Sequence, residues 1–168
     1  MTDTRPVGDR APLSHTIWSR GGGWVIAQFP LGGAAVLAAM VGPRLPESII
    51  DACRWISAGL LGGGILLFLA GLGRLGRQLT PFPKPRPDAT LVQTGAYGMV
   101  RHPLYGGAIL AVLGWSLLHG RWAGLLASVL LAAFFDQKAS REEQWLAGQF
   151  TEYAGYRQRV RKLIPWLY

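Results

Sequence analysis

The apolar positions of this chain gather into four long runs. Trp24 to Gly42 and Trp55 to Gly73 are each 19 residues without a charge, close to the roughly 20 residues that a bilayer's hydrocarbon core requires. Both are predicted as transmembrane helices. Leu104 to Gly120 and Trp122 to Phe135 are shorter and are parted only by Arg121, which predicts a tight helical hairpin. At about 1.5 Å per residue its two arms fall somewhat short of a full crossing. A re-entrant hairpin is the alternative to two crossings, and the charge distribution favours two. The predicted fold class is therefore an all-α integral membrane protein of about four transmembrane helices, the last two a tight hairpin. A cytoplasmic C-terminal helix, predicted to form the ligand pocket, continues from the fourth span.

Composition agrees with that pattern. Half of the 168 residues are hydrophobic and 15% are charged, against about 25% in an ordinary soluble domain. The net charge of +8 would suit nucleic acid or an anionic membrane surface, but its distribution reads as topology. With four spans, Arg5, Arg10, Arg20, Arg74, Arg77, Lys84, Arg86, Arg101, Lys138, Arg141, Arg157, Arg159, Arg161 and Lys162 share one side. That is 14 of the 17 basic residues, with Arg44, Arg54 and Arg121 opposite, so the positive-inside rule places both termini in the cytoplasm. A bacterial inner membrane is the expected location, and nucleic acid is not an expected partner. The first apolar run begins too late and runs too long for a secretory signal core. Trp24, Trp55 and Trp122 stand at span ends, where amphipathic rings settle. Cys53 is the single cysteine, so no intrachain disulfide is expected, and no metal-ligand cluster is expected either. Gly59 and Gly63, flanked by Gly62 and Gly64, read as close helix packing, which permits pairing with a second copy.

Two polar segments remain, Leu79 to Pro103 and Asp136 to Tyr168. Thr80-Pro81-Phe82-Pro83-Lys84-Pro85-Arg86-Pro87 is a proline ladder, stiff and extended, expected to act as a lid over a pocket at the membrane surface. In Arg101-His102-Pro103-Leu104-Tyr105 the proline begins a helix, whose free amides and positive dipole end suit an anionic ligand group. Beyond the fourth span, Lys138, Glu142, Trp145, Gln149 and Tyr153 recur at helical spacing and are expected to share one face. Glu142 and Glu143 diverge by about 100°, so one is expected to face inward and the other solvent. A carboxylate where a helix leaves the membrane calls for a cationic partner.

From about Thr80 to Tyr168, roughly half its length, the sequence resembles the isoprenylcysteine carboxyl methyltransferase family. These integral-membrane enzymes use S-adenosylmethionine and are related to phospholipid methyltransferases. The marks are Ala89-Thr90-Leu91-Val92, Gly95, Tyr97, Arg101-His102-Pro103-Leu104-Tyr105, Glu142-Glu143, Leu146, Phe150, Tyr153, Tyr156 and Pro165. The resemblance implies cofactor contacts at Ala89, Thr90, Leu91, Val92, Tyr97, His102, Pro103, Leu104, Tyr105 and Glu142. It places Lys138 at the acceptor, where eukaryotic relatives carry arginine, and makes Glu142, Lys138 and Arg101 the catalytic candidates. It also divides the chain into a tail (1–23), two spans with a short outer loop (24–73) and a catalytic region (74–168).

Methyl transfer from a sulfonium is an in-line displacement, so alignment and partial desolvation are the enzyme's main contributions. A carboxylate or thiolate acceptor needs no general base, whereas an amine must lose a proton, which makes Glu142, Glu143 or a tyrosine candidates. The expected acceptor is a lipophilic molecule entering from the bilayer. Ala89 stands where eukaryotic enzymes show histidine, and with Lys138 it weighs against a prenylated cysteine carboxylate. A phospholipid amine or a small hydrophobic thiol is the alternative within methyl transfer. An NADPH-dependent sterol-type reductase and a non-catalytic membrane scaffold are the alternatives outside it.

Overall fold

The computed structural model describes residues 21–85 and 88–168, without the side chain of Arg77. Arg5, Arg10, Arg20, Arg86 and Pro87 lie outside the described residues. Among those described, the chain is all-α: α1 (Gly22–Ala38), α2 (Glu47–Leu75), α3 (Ala96–Met99), α4 (Pro103–His119), α5 (Trp122–Gln149) and α6 (Tyr153–Arg159). A single 3₁₀ turn, Gly76–Gln78, follows α2.

The helices do not end where the apolar runs end. α2 begins at Glu47, two turns before Trp55, because Pro46 precedes its first turn and an Arg54–Asp51 pair supports the polar start. α5 runs unbroken for 28 residues from the apolar arm through Lys138, Glu142 and Glu143. It stops at Gln149, so Tyr153 opens α6 and does not continue the face of Lys138 and Glu142. Among the described residues, α2 alone is long and apolar enough to cross a membrane; α1 and α4 are apolar but 17 residues each, about 25 Å.

Small residues set the packing. A Cβ on Gly64 would stand 2.4 Å from the Ala111 amide, one on Gly107 2.6 Å from the Gly64 carbonyl, and one on Gly114 2.4 Å from the Leu61 amide. Ser57, Gly64 and Gly71 are buried on α2, spaced by seven residues, and the backbones of α2 and α4 meet along that seam. Gly59, Gly62 and Gly63 face open space, so the close approach expected of Gly59 and Gly63 belongs to Gly64 instead. Gly124 likewise abuts Ala39 and seats α5 against the end of α1.

The outer surface is apolar and the seams are partly polar. Phe29, Trp55, Leu66, Leu126 and Val129 are exposed, whereas Ser57, Ser116 and Ser128 are buried and hydrogen-bonded within the bundle. At one end, Leu45 donates its amide to the Gly120 carbonyl (2.7 Å), tying the α1–α2 loop to the α4–α5 turn. The polar halves of the elements collect at the other end.

Candidate functional site

The polar end is organised by one backbone pairing. Arg101 and His102 donate their amides to the carbonyls of Arg161 and Lys162 (2.8 and 3.1 Å), so the segment after α6 lies alongside the approach to α4. Pro103 then starts α4 and packs against Gly71. The amides of Arg101 and His102, which precede the helix, are thereby satisfied, and the first amide bonded back within the helix start is that of Gly106, to the His102 carbonyl (2.9 Å).

The positive end of α4 faces carboxylates of the chain itself. Arg101 donates Nε to Glu143 Oε1 (2.8 Å), and His102 Nε2 lies 3.2 Å from the same oxygen. His102 Nδ1 is 3.8 Å from Glu142 Oε2, and Tyr105 donates its hydroxyl to that oxygen (2.8 Å). Both glutamates therefore face inward, against the expectation that one would face solvent. The start of α4 meets α5 at Glu142 and Glu143, and Arg101, just ahead of α4, and Arg157, on α6, close over Glu143. Burial alone would raise the pKa of Glu143, but the hydrogen bond and charge of His102, then those of Arg101, hold it at about 2. A ligand carboxylate would be repelled here, whereas an ammonium group would be attracted.

Three cavities meet at these side chains. A narrow cleft of about 100 Å³ lies between the proline segment and α5–α6; its walls include Ala89, Thr90, Leu91, Val92, Tyr97 and Glu142. Phe82, Pro83, Pro85, Leu146, Phe150, Tyr153 and Tyr156 complete an apolar and aromatic lining. A smaller space of about 50 Å³ is lined by Tyr97, His102, Leu104, Tyr105 and Glu142. Sharing Leu79, Thr80, Leu104 and Tyr105 with it is an apolar cavity of about 340 Å³, walled by Phe29, Phe68, Leu72, Ala108, Phe135 and Lys138.

Lys138 is almost fully buried and bonds Gln28 and the Pro81 carbonyl, with its Nζ 5.0 Å above the Tyr105 ring. Burial lowers its pKa to about 8, and the charge of Glu142 pulls in the opposite direction. Glu142 and Lys138 make no direct pair, and Tyr105 stands between them.

The structure thus gathers the sequence-predicted residues around one junction with two exceptions. Pro103 lines none of the three cavities. The Arg101 guanidinium reaches the cleft's edge but is taken up by Glu143 and by the carbonyls of Arg157 and Val160. The sequence reading missed Gln28, named Glu143 only as a possible base for an amine acceptor, and named Tyr153 only as a mark of the resemblance and a member of the Lys138 face. Gln28 was signalled by being polar inside an apolar span. The Tyr153 hydroxyl is buried at the cleft and has no hydrogen-bond partner among the described residues; burial, then Glu143, raise its pKa above the ordinary tyrosine range. A buried hydroxyl left open beside Glu142, with aromatic walls around it, fits a ligand carrying an amino group and a flat heterocycle.

Among the described residues, such a fold and site define an all-helical chain with an apolar exterior and an aromatic-walled cleft, bordered by Glu142, that lies next to an apolar cavity. Residues 52–153 match the phospholipid methyltransferase family, to which the chain belongs. It is 39% identical over 84 residues to the protein-S-isoprenylcysteine O-methyltransferase of Schizosaccharomyces pombe, a stretch covering 49% of this chain and 36% of that protein. Over 117 residues, 67% of this chain, it is 35% identical to cobalt-zinc-cadmium resistance protein CzcN of Cupriavidus metallidurans, covering 52% of that relative. Nickel-cobalt-cadmium resistance protein NccN of Alcaligenes xylosoxydans xylosoxydans is 33% identical, with 53% of its length covered. The chain spans about half the length of these curated relatives, or less.

Proposed function

We propose that the chain is a four-span membrane methyltransferase that moves a methyl group from S-adenosylmethionine to a lipophilic acceptor at the cytoplasmic face of a bacterial inner membrane. The observation that carries this reading is the junction itself. A cleft lined by Ala89 to Val92, Tyr97 and Glu142 adjoins, at Tyr97 and Glu142, the small space at Tyr105, which in turn adjoins an apolar cavity with Lys138 in its wall. When bound, the cofactor supplies an electrophilic methyl group on a sulfonium. Glu142 would pair its amino group, Tyr153 would offer a hydroxyl, and the aromatic walls would hold the adenine. The cleft's 100 Å³ is narrow for a whole cofactor, and outward movement of the Thr80–Pro85 wall, the role expected of a proline lid, would widen it.

In this reading residues 24–73 supply two spans and 74–168 the catalytic region, with residues 1–23 as a tail. Lys138 orients the acceptor's nucleophilic end, and Arg101, through Glu143, positions His102. An acceptor reaches the apolar cavity from the bilayer between α1 and α2. No general base is required for an anionic acceptor, since alignment and exclusion of water do the work.

Calorimetry of the detergent-solubilised protein tests the reading directly. S-adenosylhomocysteine should bind and NADPH should not; no heat with the former, or binding of the latter alone, would overturn it. A labelled-methyl assay against fractionated host lipids and hydrophobic thiols then identifies the acceptor.

A further inference from the structure

A fourth cavity lies on another face of α5 and shares only Arg101 and Glu143 with the junction. This groove of about 690 Å³ runs between the polar half of α5, α6 and the segment that follows. Its lining carries Arg101, Arg157, Arg159, Arg161 and Lys162 against one acidic side chain, Glu143. Arg101 is committed to Glu143, and Lys162 to Asp136 and Ser140. Arg157 is exposed and 3.6 Å from Glu143, and Arg159 reaches only the neutral Gln93 at 3.4 Å. The exposed Arg161 side chain has no partner among the described residues. The groove therefore presents cationic charge that the described residues do not neutralise.

Beyond Lys162 the chain returns to the apolar part of the bundle, and Leu167 and Tyr168 of this stretch border the groove. Leu163 and Ile164 pack with Ala35, Ile109, Leu131 and Phe135, one to two turns inside the apolar halves of α4 and α5, and the Leu163 carbonyl abuts Gly106. The chain then turns, with Leu167 donating its amide to the Ile164 carbonyl (3.2 Å) and Leu163 to that of Tyr168 (2.7 Å). This turn holds Trp166 at φ 61°, a left-handed conformation that non-glycine residues rarely adopt, and leaves it 84% exposed beside the 75% exposed Leu167. Indoles with one apolar and one polar edge favour the headgroup level of a bilayer, and arginine binds phosphate through its fork of donors.

We propose that the groove and its Trp166–Leu167 rim dock an anionic phospholipid of the surrounding leaflet, with the headgroup phosphate against Arg157, Arg159 and Arg161. The occupant follows from charge complementarity at the groove and from its continuity with the apolar surface of the bundle. The proposal rests on the membrane placement above and not on methyl transfer, so the two fail separately: lipid retention reads one, S-adenosylhomocysteine binding the other.

Native mass spectrometry of the full chain in neutral detergent tests it, with phosphatidylglycerol, phosphatidylcholine and inorganic phosphate as probes. Phosphatidylglycerol should be retained about tenfold better than phosphatidylcholine, and excess inorganic phosphate should not displace it. Arg159→Gln combined with Arg161→Gln should reduce that preference by about tenfold while helical circular dichroism and S-adenosylhomocysteine affinity stay unchanged. Equal retention of both lipids, full retention by the double variant, or displacement by phosphate would each overturn the proposal, the last by marking a site for free anions. Because the comparison of probes needs only the native chain, it decides the matter even if the double variant does not fold.

Discussion

Glu142 and Glu143 stand side by side on α5 and meet different partners. Glu143 balances Arg101 and His102, while Glu142 is held by the Tyr105 hydroxyl and borders the cleft. Glu142→Gln and His102→Ala should each weaken S-adenosylhomocysteine binding by at least about tenfold in calorimetry, the scale of a hydrogen bond to a charged group, with helical content unchanged. Near-normal affinity in both would refute the assignment. Glu143 has the opposite signature. Its folded pKa of about 2 lies below its ordinary value of 4.5, so its contribution to stability is complete above that value and is lost as pH falls toward 2. Glu143→Gln should lower stability at neutral pH, by leaving Arg101 without its counter-charge, and flatten the loss between about pH 4.5 and 2 in denaturant titrations. Lys138 titrates near 8, so a Lys138 that orients an anionic acceptor loses its charge above that pH. Methyl transfer to such an acceptor should then fall as pH rises through about 8, and Lys138→Ala should remove that limb while sparing cofactor affinity. A pH profile unchanged in Lys138→Ala would count against this role.

At the level of helices, the seam between α2 and α4 depends on missing side chains. Gly64→Ala or Gly107→Ala would place a methyl group within 2.7 Å of the facing backbone, and neither helix can yield locally. Each should cost about 1–3 kcal/mol, the usual range for overpacking. Gly62→Ala meets nothing within 4 Å and should instead stabilise by about 0.5–1 kcal/mol through helix propensity. Thermal unfolding in detergent, followed by circular dichroism, separates the two; similar midpoints would refute the seam. The need for small residues in this stretch was legible in the sequence, but which of the neighbouring glycines is used was not. A glycine carries no mark of the side it faces, and only the partner helix defines that side.

For the molecule as a whole, the proposed four spans put the α1–α2 loop and the α5–α6 junction on opposite sides of the bilayer. In a Cys53→Ser background, a membrane-impermeant maleimide added to intact cells should label Ser48→Cys, at the exposed start of α2, and spare Thr151→Cys until the membrane is opened. Labelling of both from outside would reject the topology. The helices and the polar end were already visible in the sequence, because apolar runs and basic clusters are local properties, set by solvation one residue at a time. The helix boundaries drifted where polar residues continued a helix beyond its apolar run, at the start of α2 and the end of α5.

The sequence alone determined an all-helical chain with an apolar exterior, the order of its elements, and a set of polar residues that resembles a methyltransferase family. The fold decided what those residues touch. The pairing of Arg101 and His102 with Arg161 and Lys162, residues some sixty positions apart, brings the start of α4 and the segment after α6 together beside one turn of α5. That turn is why Glu143 is buried, why the Tyr153 hydroxyl is left open beside the cleft, and why Tyr105 stands between Glu142 and Lys138. Contacts of that kind arise from chain closure over long separations, so no local pattern of polarity encodes them.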